Sequence, residues 1–468
     1  GQMLKEFEDA VRGMKTGESK TFPLAFLLLQ VTTEVEGIRL TRPISVEIHT
    51  ESVLPRALPT VAERKRQALE LLARWGEQNT NRALAILATG GDTAEAEKMP
   101  GVVKVLTHKD VKGRNRITGL ITFPTNKGDG WERPILNDTK IFQYGDALAI
   151  VCADSECNAR AAAEKVKFDL ELLPEYMSAP EAMAPDAIEI HPGTPNIYYE
   201  QLEEKGADTA PFFNDPANVV AEGSYYTQRQ PHLPIEPDVG YGYINEQGQV
   251  VIHSKSIGLH LHALMIAPGL GLEFPKDLVL VQNTAGGTFG YKFSPTMEAL
   301  IGVAVMATGR PCHLRYNYEQ QQNYTGKRSP FWTTLRYAAT KQGKILAMDT
   351  DWSVDHGPYS EFGDLLTLRG AQYIGAGYGI ANIRGQGRTV ATNHCWGAAF
   401  RGYGAPETEF PSEVLMDELA EKLGMDPLDF RLKNTGRNGD ISPLNGKPVA
   451  TLGISDCLEE GRDRKSTR

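Results

Sequence analysis

The chain has 468 residues, 41% hydrophobic and 23% charged, a balance that suits a globular protein of roughly two to four domains with a substantial core. A net charge of −10 speaks against a nucleic-acid surface, which needs clustered Lys and Arg, and the short basic run at 462–465 reads as a solvated tail. The five cysteines form no C-x-x-C pair, which argues against structural disulfides, zinc ribbons and iron–sulfur ligation by these residues and implies a reducing, cytoplasmic setting.

Residues 1–95 differ in texture from the rest. The pattern predicts a short helix over 7–18 closing into a glycine turn, a strand over 19–26, and an amphipathic helix over 61–75 with Ala62, Ala68, Leu69, Leu72 and Trp75 at helical spacing. The apolar run at 24–29 is too short to span a membrane and reads as a buried strand. Residues 89–93 mark a junction. From Ala94 an α/β pattern sets in, with strands over 102–106, 147–151 and 186–190 and a helix over 155–166 capped by Ser155. The polar stretch 203–215 predicts a domain boundary. Beyond it come strands over 250–254, 278–281 and 345–354 and helices over 296–308, 407–423 and 427–433. Gly424 closes the second of these helices, and Asp426-Pro427 opens the third.

One stretch concentrates the chemistry: Gly286-Gly287-Thr288-Phe289-Gly290-Tyr291-Lys292-Phe293-Ser294-Pro295-Thr296. It follows a strand and precedes a helix, with Ser294 read as N-cap, Pro295 at the first helical position and Glu298 in the first turn. Three glycines in five positions let backbone approach a ligand, and free N–H groups at a helix start suit an oxyanion, a phosphate or a metal oxo group. The same residues also fit a tight connection with no ligand. A second loop, 399–406, places Arg401 among small and aromatic residues before a helix; alone, it reads as an arginine packed on Tyr403 and paired with a carboxylate. His260 and His262, with His253 further back, invite a metal, but histidines alternating at strand spacing without a third ligand nearby argue against one. His356, beside Asp355 and a Gly-Pro turn, reads as part of a structural loop. Residues 375–379 make a poor dinucleotide fingerprint, and no G-x-S-x-G elbow occurs.

Taken together, the loops 286–296 and 399–406, the segments 384–388 and 230–237, and the long run 354–364 resemble the molybdenum hydroxylases, the xanthine oxidase and aldehyde oxidoreductase family, on its bacterial aldehyde-oxidising side. The resemblance runs from about residue 98 to 447. It implies a mixed α/β and α+β fold: a hammerhead-like domain over 96–206, incomplete at its start, and the first half of a molybdenum–pterin-binding domain over 212–455. An unrelated segment, 1–95, precedes them, and 456–468 form a tail. The resemblance places Thr288, Phe289, Gly290 and Arg401 at the cofactor, a molybdenum–molybdopterin cytosine dinucleotide, and Phe293, Phe362, Leu365 and Tyr403 along the substrate channel. Purine-oxidising relatives carry a glutamate at the position of Phe293. A phenyl ring cannot hydrogen-bond a heterocycle, so a small aldehyde is the expected substrate. The family hydroxylates with water as oxygen source, a glutamate as general base and 2Fe–2S clusters as the electron exit.

That glutamate lies in a G-V-G-E loop of the family, and no such tetrapeptide occurs here, so no catalytic residue is assigned. Gly385-Gln386-Gly387 imitates a pterin-holding loop, but its neighbours match a different family segment, and it is expected to be a decoy. The sequence therefore predicts a truncated, chimeric large-subunit portion of an aldehyde-oxidising enzyme. Its partners would be an iron–sulfur domain or subunit and the missing half of the cradle, with a homodimer possible and with neither nucleic acid nor membrane. A non-catalytic fragment without cofactor is the alternative. Residues 1–26 separately resemble the peptidyl-prolyl isomerase domain of the bacterial chaperone trigger factor, in the run 13–24, which leaves an isomerase or chaperone module as a third class.

Overall fold

The computed structural model describes residues 92–119, 130–375, 377–441 and 446–463 with their side chains, and residues 19–23, 45–49, 85–91 and 464–466 as backbone. Two compact units emerge, Gly1–Asn81 and Arg82–Arg468. In the first, β1 (Ser19–Pro23) pairs antiparallel with β2 (Ser45–His49). This strand realises the start of the one expected over 19–26. The helices expected over 7–18 and 61–75, the strand at 24–29 and most of the isomerase-like run lie outside the described residues.

The second unit begins with β3 (Ala85–Asp92), β4 (Val102–Leu106), β5 (Arg116–Ile117), β6 (Arg133–Pro134), β7 (Lys140–Ile141), β8 (Ile150–Ala153), α1 (Glu156–Ala163) and β9 (Lys167–Leu173). They form a sheet of order β7-β3-β9 and two ladders, β4-β8 and β5-β6. Ser155 caps α1, its hydroxyl accepting the Asn158 amide at 3.3 Å. The strand expected over 186–190 does not form. The Ile188 amide donates to the Tyr176 hydroxyl at 2.8 Å and the Ile190 amide to Asn196 Oδ1 at 2.9 Å, so side chains take the place of a neighbouring strand.

Next come β10 (Ile197–Lys205), β11 (Val219–Thr227), β12 (Val239–Ile244), β13 (Val250–Ser254), α2 (Leu259–Leu270), β14 (Leu278–Gln282), α3 (Glu298–Thr308) and β15 (Cys312–Arg315). They are followed by β16 (Phe331–Ala339), β17 (Ile345–Asp355), α4 (Gly363–Tyr373), β18 (Asn382–Val390), α5 (Ala405–Leu423), α6 (Pro427–Asn434) and α7 (Ile454–Ser466). One sheet runs β10-β18-β17-β16-β11 and the other β14-β13-β12-β15. The edge strand β10 overlaps the boundary expected over 203–215. Leu415, Met416, Leu419 and Phe430 of α5 and α6 pack on Leu335, Tyr337, Met348 and Ile383 of the five-stranded sheet. Asp426 caps α6 by accepting the Leu428 and Asp429 amides, and Gly424 closes α5 at φ 65°. Around the four-stranded sheet, α2 and α3 bury Ile266, Leu270, Ile301 and Val305 with Ile252 and Leu278. Leu106, Ile117, Ile135 and Leu136 from the preceding layer join the same core. No helix of the described residues is long and apolar enough to cross a membrane.

Candidate functional site

Strand β14 runs parallel to β13, and the loop at 283–290 leaves the carboxyl end of that pair. In parallel sheets this is where ligands gather, because the connections there stay free of the ladder. The chain turns at Gly287 (φ 136°), Phe289 (φ 51°) and Gly290 (φ 119°), then makes a single 3-10 turn over Tyr291–Phe293. The amides of Gly287, Thr288 and Phe289 donate to no protein acceptor among the described residues. The Gly290 amide folds back on Thr288 Oγ1 at 3.2 Å. Consecutive free amides in a turn with left-handed backbone make a concave donor surface for an anion.

The helix that follows does not start where the sequence suggests. Residue Glu298 opens α3, Met297 is its cap, and Ser294 is not the N-cap, nor is Pro295 at the first helical position. The Glu298 carboxylate itself accepts the Thr296 and Met297 amides at 2.8 and 3.1 Å, which makes a serine cap unnecessary. Burial opposes its ionisation, but His262 holds the Glu298 carboxyl at about 2.

The second loop meets the first directly. A side chain at Gly290 would put its Cβ 2.5 Å from the Ala399 carbonyl oxygen, so only glycine permits this approach. The Arg401 amide donates to the Phe289 carbonyl at 2.8 Å, and the Arg401 guanidinium lies 5.8 Å above the Phe289 ring centroid. The backbone of this loop is gripped from inside. His232 Nε2 lies 2.7 Å from the Ala399 carbonyl, and Arg328 Nη2 donates to the Arg401 carbonyl at 2.8 Å. Burial lowers His232 to about 3, so the ring is neutral and donates that bond. Arg328 is itself fixed by Glu407 at 2.6 Å and stacks 4.1 Å from the Phe400 centroid. Arg401 is left exposed and makes no ion pair among the described residues, so the carboxylate-paired alternative is not what the fold adopts.

Of the expected channel residues, Phe362, Leu365 and Tyr403 come together at the edge of the core between the sheet and α2–α3. The Tyr403 hydroxyl donates to the Phe362 carbonyl at 2.5 Å. Both residues hold left-handed backbone, φ 36° and 62°, unusual for aromatic side chains and therefore imposed by their surroundings. Phe293 stands apart from that cluster, 44% exposed on the 3-10 turn beside Phe289 at 39%.

Other motifs resolve into structure. His260 and His262 lie on α2, not on a strand, and His262 Nε2 reaches the Phe293 carbonyl at 2.8 Å. Among the described residues no cluster of three or more metal-ligating side chains occurs. His356 is fully buried between Ser329 Oγ at 2.9 Å and the Glu361 carbonyl at 2.6 Å, and burial lowers it to about 4. Gly385-Gln386-Gly387 lies inside β18. Residues Lys292, Glu236, His232 and Arg328 hold the two loops and were not singled out from sequence. Lys292 lay in the run 286–296 and Glu236 and His232 in the proline-rich run 230–237, which were the hints the sequence offered.

Residues 190–435 match the family model described as molybdopterin cofactor-binding domain, and residues 83–174 match the aldehyde oxidase and xanthine dehydrogenase a/b hammerhead domain. The chain is 68% identical over 375 residues to an aldehyde oxidoreductase of Megalodesulfovibrio gigas, covering 80% of this chain and 41% of that protein. Its fold superposes on the crystal structure of the aldehyde oxidoreductase from Desulfovibrio desulfuricans with a TM-score of 0.80 and 85% identity, covering 82% of this chain and 42% of that one. It thus spans less than half the length of either. A nicotinate dehydrogenase large molybdopterin subunit of Eubacterium barkeri is 28% identical over 80% of this chain and 85% of its own length.

Proposed function

Because this chain belongs to the molybdopterin cofactor-binding domain family, we propose that it forms one wall of a molybdenum–molybdopterin site in an aldehyde-oxidising enzyme. The observation that carries the reading is the meeting of the two loops: free amides at Gly287, Thr288 and Phe289 beside an exposed, unpaired Arg401. An oxo- and phosphate-bearing group needs such donors, and an exposed guanidinium among free amides has none of its charge answered by the protein. When bound, the molybdenum group supplies the redox chemistry that turns an aldehyde and water into an acid. The residues of this chain would do the holding. Thr288 and Phe289 would line the group with backbone donors, Gly290 would let the second loop close against them, and Arg401 would add a charged donor.

Phe293, Phe362, Leu365 and Tyr403 would shape the approach of a small aldehyde. An apolar lining leaves the ring nitrogens of a purine unpaired, which favours a carbonyl substrate over a heterocycle. Identity of 68% to an aldehyde oxidoreductase supports the same choice. The cytosine dinucleotide form of the cofactor, the iron–sulfur partner and the facing half of the cradle belong to this proposal. The Eubacterium subunit lends support to a split cradle, since a molybdopterin subunit of nearly this span exists there as a chain of its own.

The test is to co-produce this chain with the remaining portion of an aldehyde oxidoreductase relative and to measure bound molybdenum and dye reduction with small aldehydes and with xanthine. Stoichiometric molybdenum and aldehyde-dependent reduction are expected. Molybdenum with reduction by xanthine alone contradicts the substrate, and a complex free of molybdenum contradicts the site.

A further inference from the structure

Lys292 is 2% exposed, although Phe289 and Phe293 of the same loop are exposed. Its ammonium lies 2.9 Å from Glu236 Oε1, 2.9 Å from the Gly287 carbonyl and 3.5 Å from Asp238 Oδ1. An ammonium has three donors and no acceptor, so these contacts use it completely. A buried cation requires charged partners, and Glu236 and Asp238 provide them. The partners are fixed from elsewhere. Lys255 binds Glu236 Oε2 at 2.6 Å, the Tyr291 hydroxyl donates to Asp238 Oδ1 at 2.9 Å, and the Asp238 amide donates to Gln321 Oε1 at 2.7 Å. Gln321 Nε2 in turn donates to the Tyr291 hydroxyl at 3.0 Å. Burial raises the Asp238 carboxyl, while hydrogen bonds from Lys255 and Lys292, aided by the Gly286 amide, outweigh burial and keep Glu236 low.

The bond to the Gly287 carbonyl is not needed for charge balance. Its consequence is directional. A peptide unit is planar and trans, so its C=O and the following N–H point opposite ways. With the Gly287 carbonyl drawn inward by a buried ammonium, the Thr288 amide must face outward, where it has no protein acceptor.

We infer that Lys292 is a positioning residue: its buried ammonium fixes the plane of the Gly287–Thr288 peptide and thereby aims the Thr288 amide outward. This rests on the reading of the loop as a cofactor wall and names what sets the shape of that wall.

Amide hydrogen exchange on the full chain tests it, comparing wild type with K292M and with K292M/D238N. The double variant leaves Glu236 paired with Lys255 and removes the carboxylate that K292M leaves unanswered, so it separates charge balance from positioning. In both variants the amides over 290–294 and at Arg401 should exchange at least about tenfold faster, the loss of one charge-assisted hydrogen bond, while β16 and β17 stay unchanged. Wild-type exchange over 290–294 in a folded double variant overturns the inference, as does unchanged exchange in K292M. Should K292M fail to fold, the double variant decides alone. Molybdenum and pterin content of the wild-type complex is a separate measurement: its failure sinks the cofactor reading and leaves the exchange comparison intact.

Discussion

Gly287 and Gly290 border a turn whose amides face outward, whereas Gly385 and Gly387 lie inside β18, between β10 and β17. At Gly287 and Gly290 φ is strongly positive, and the space a side chain would fill at Gly290 is taken by the backbone of the second loop. At Gly387 the backbone is ordinary strand, and a Cβ would land 2.2 Å from Cε2 of the buried Trp352 ring. Beside free donors, Gly287 serves a positive φ and Gly290 a close approach of backbone to backbone. The pair in β18 yields room to an indole. Spacing alone cannot separate these uses, because both are written as glycine around one or two other residues.

The comparison breaks most sharply at Gly387. Gly387→Ala should cost about 3 kcal/mol or more, since overpacking against a fully buried indole cannot relax toward solvent. Urea unfolding would show it, with the amides at 286–290 unaffected in the folded protein. If the cost is below about 0.5 kcal/mol, the account of this glycine fails.

Beside Gly385, Glu203 is buried with neither carboxylate oxygen partnered, and burial raises it to about 8. Its folded pKa lies above the unfolded value, so the associated stability is present below pH 4.5 and is lost as pH rises through 8. Glu203→Gln should therefore match wild type near pH 4 and exceed it by a few kcal/mol at pH 9. Equal stability at both pH values would mean that this carboxylate is solvated or paired.

Gly290→Ala should cost less, about 2 kcal/mol for left-handed strain and the clash with Ala399. Its loss should be local: faster amide exchange at Arg401 before any global change. Arg401→Gln should be the mildest, within about 0.5 kcal/mol of wild-type stability because the side chain is exposed and unpaired. Its predicted effect is on retention of molybdenum by the co-produced complex, which thermal unfolding of the chain would not report.

Much of this was legible in the residues. β4 and β13 fall on the expected bounds because short apolar runs between polar residues have few alternatives. The α5–α6 break was legible because Gly424 and Asp426 carry their capping chemistry locally. The start of α3 was not, since Glu298 caps its own helix through a carboxylate held by His262, a residue 36 positions earlier (298 − 262). The strand expected at 186–190 failed for a related reason: Tyr176 and Asn196 satisfy its amides, and no periodicity encodes that. At the site, the two loops and Arg401 were visible as motifs, and their contact through Gly290 and Ala399 appeared only in three dimensions. Lys292 carried no role in the sequence because its partners, Glu236 and Asp238, are more than fifty residues away along the chain.

The most direct test is amide exchange of the co-produced complex with its molybdenum cofactor in place and after the cofactor is stripped. Slowed exchange at Gly287, Thr288, Phe289 and Arg401 on cofactor binding, with none at Gly385 or Gly387, is the predicted result. Protection centred on 385–387, or none at the two loops in a complex that holds molybdenum, would contradict the assignment of the site.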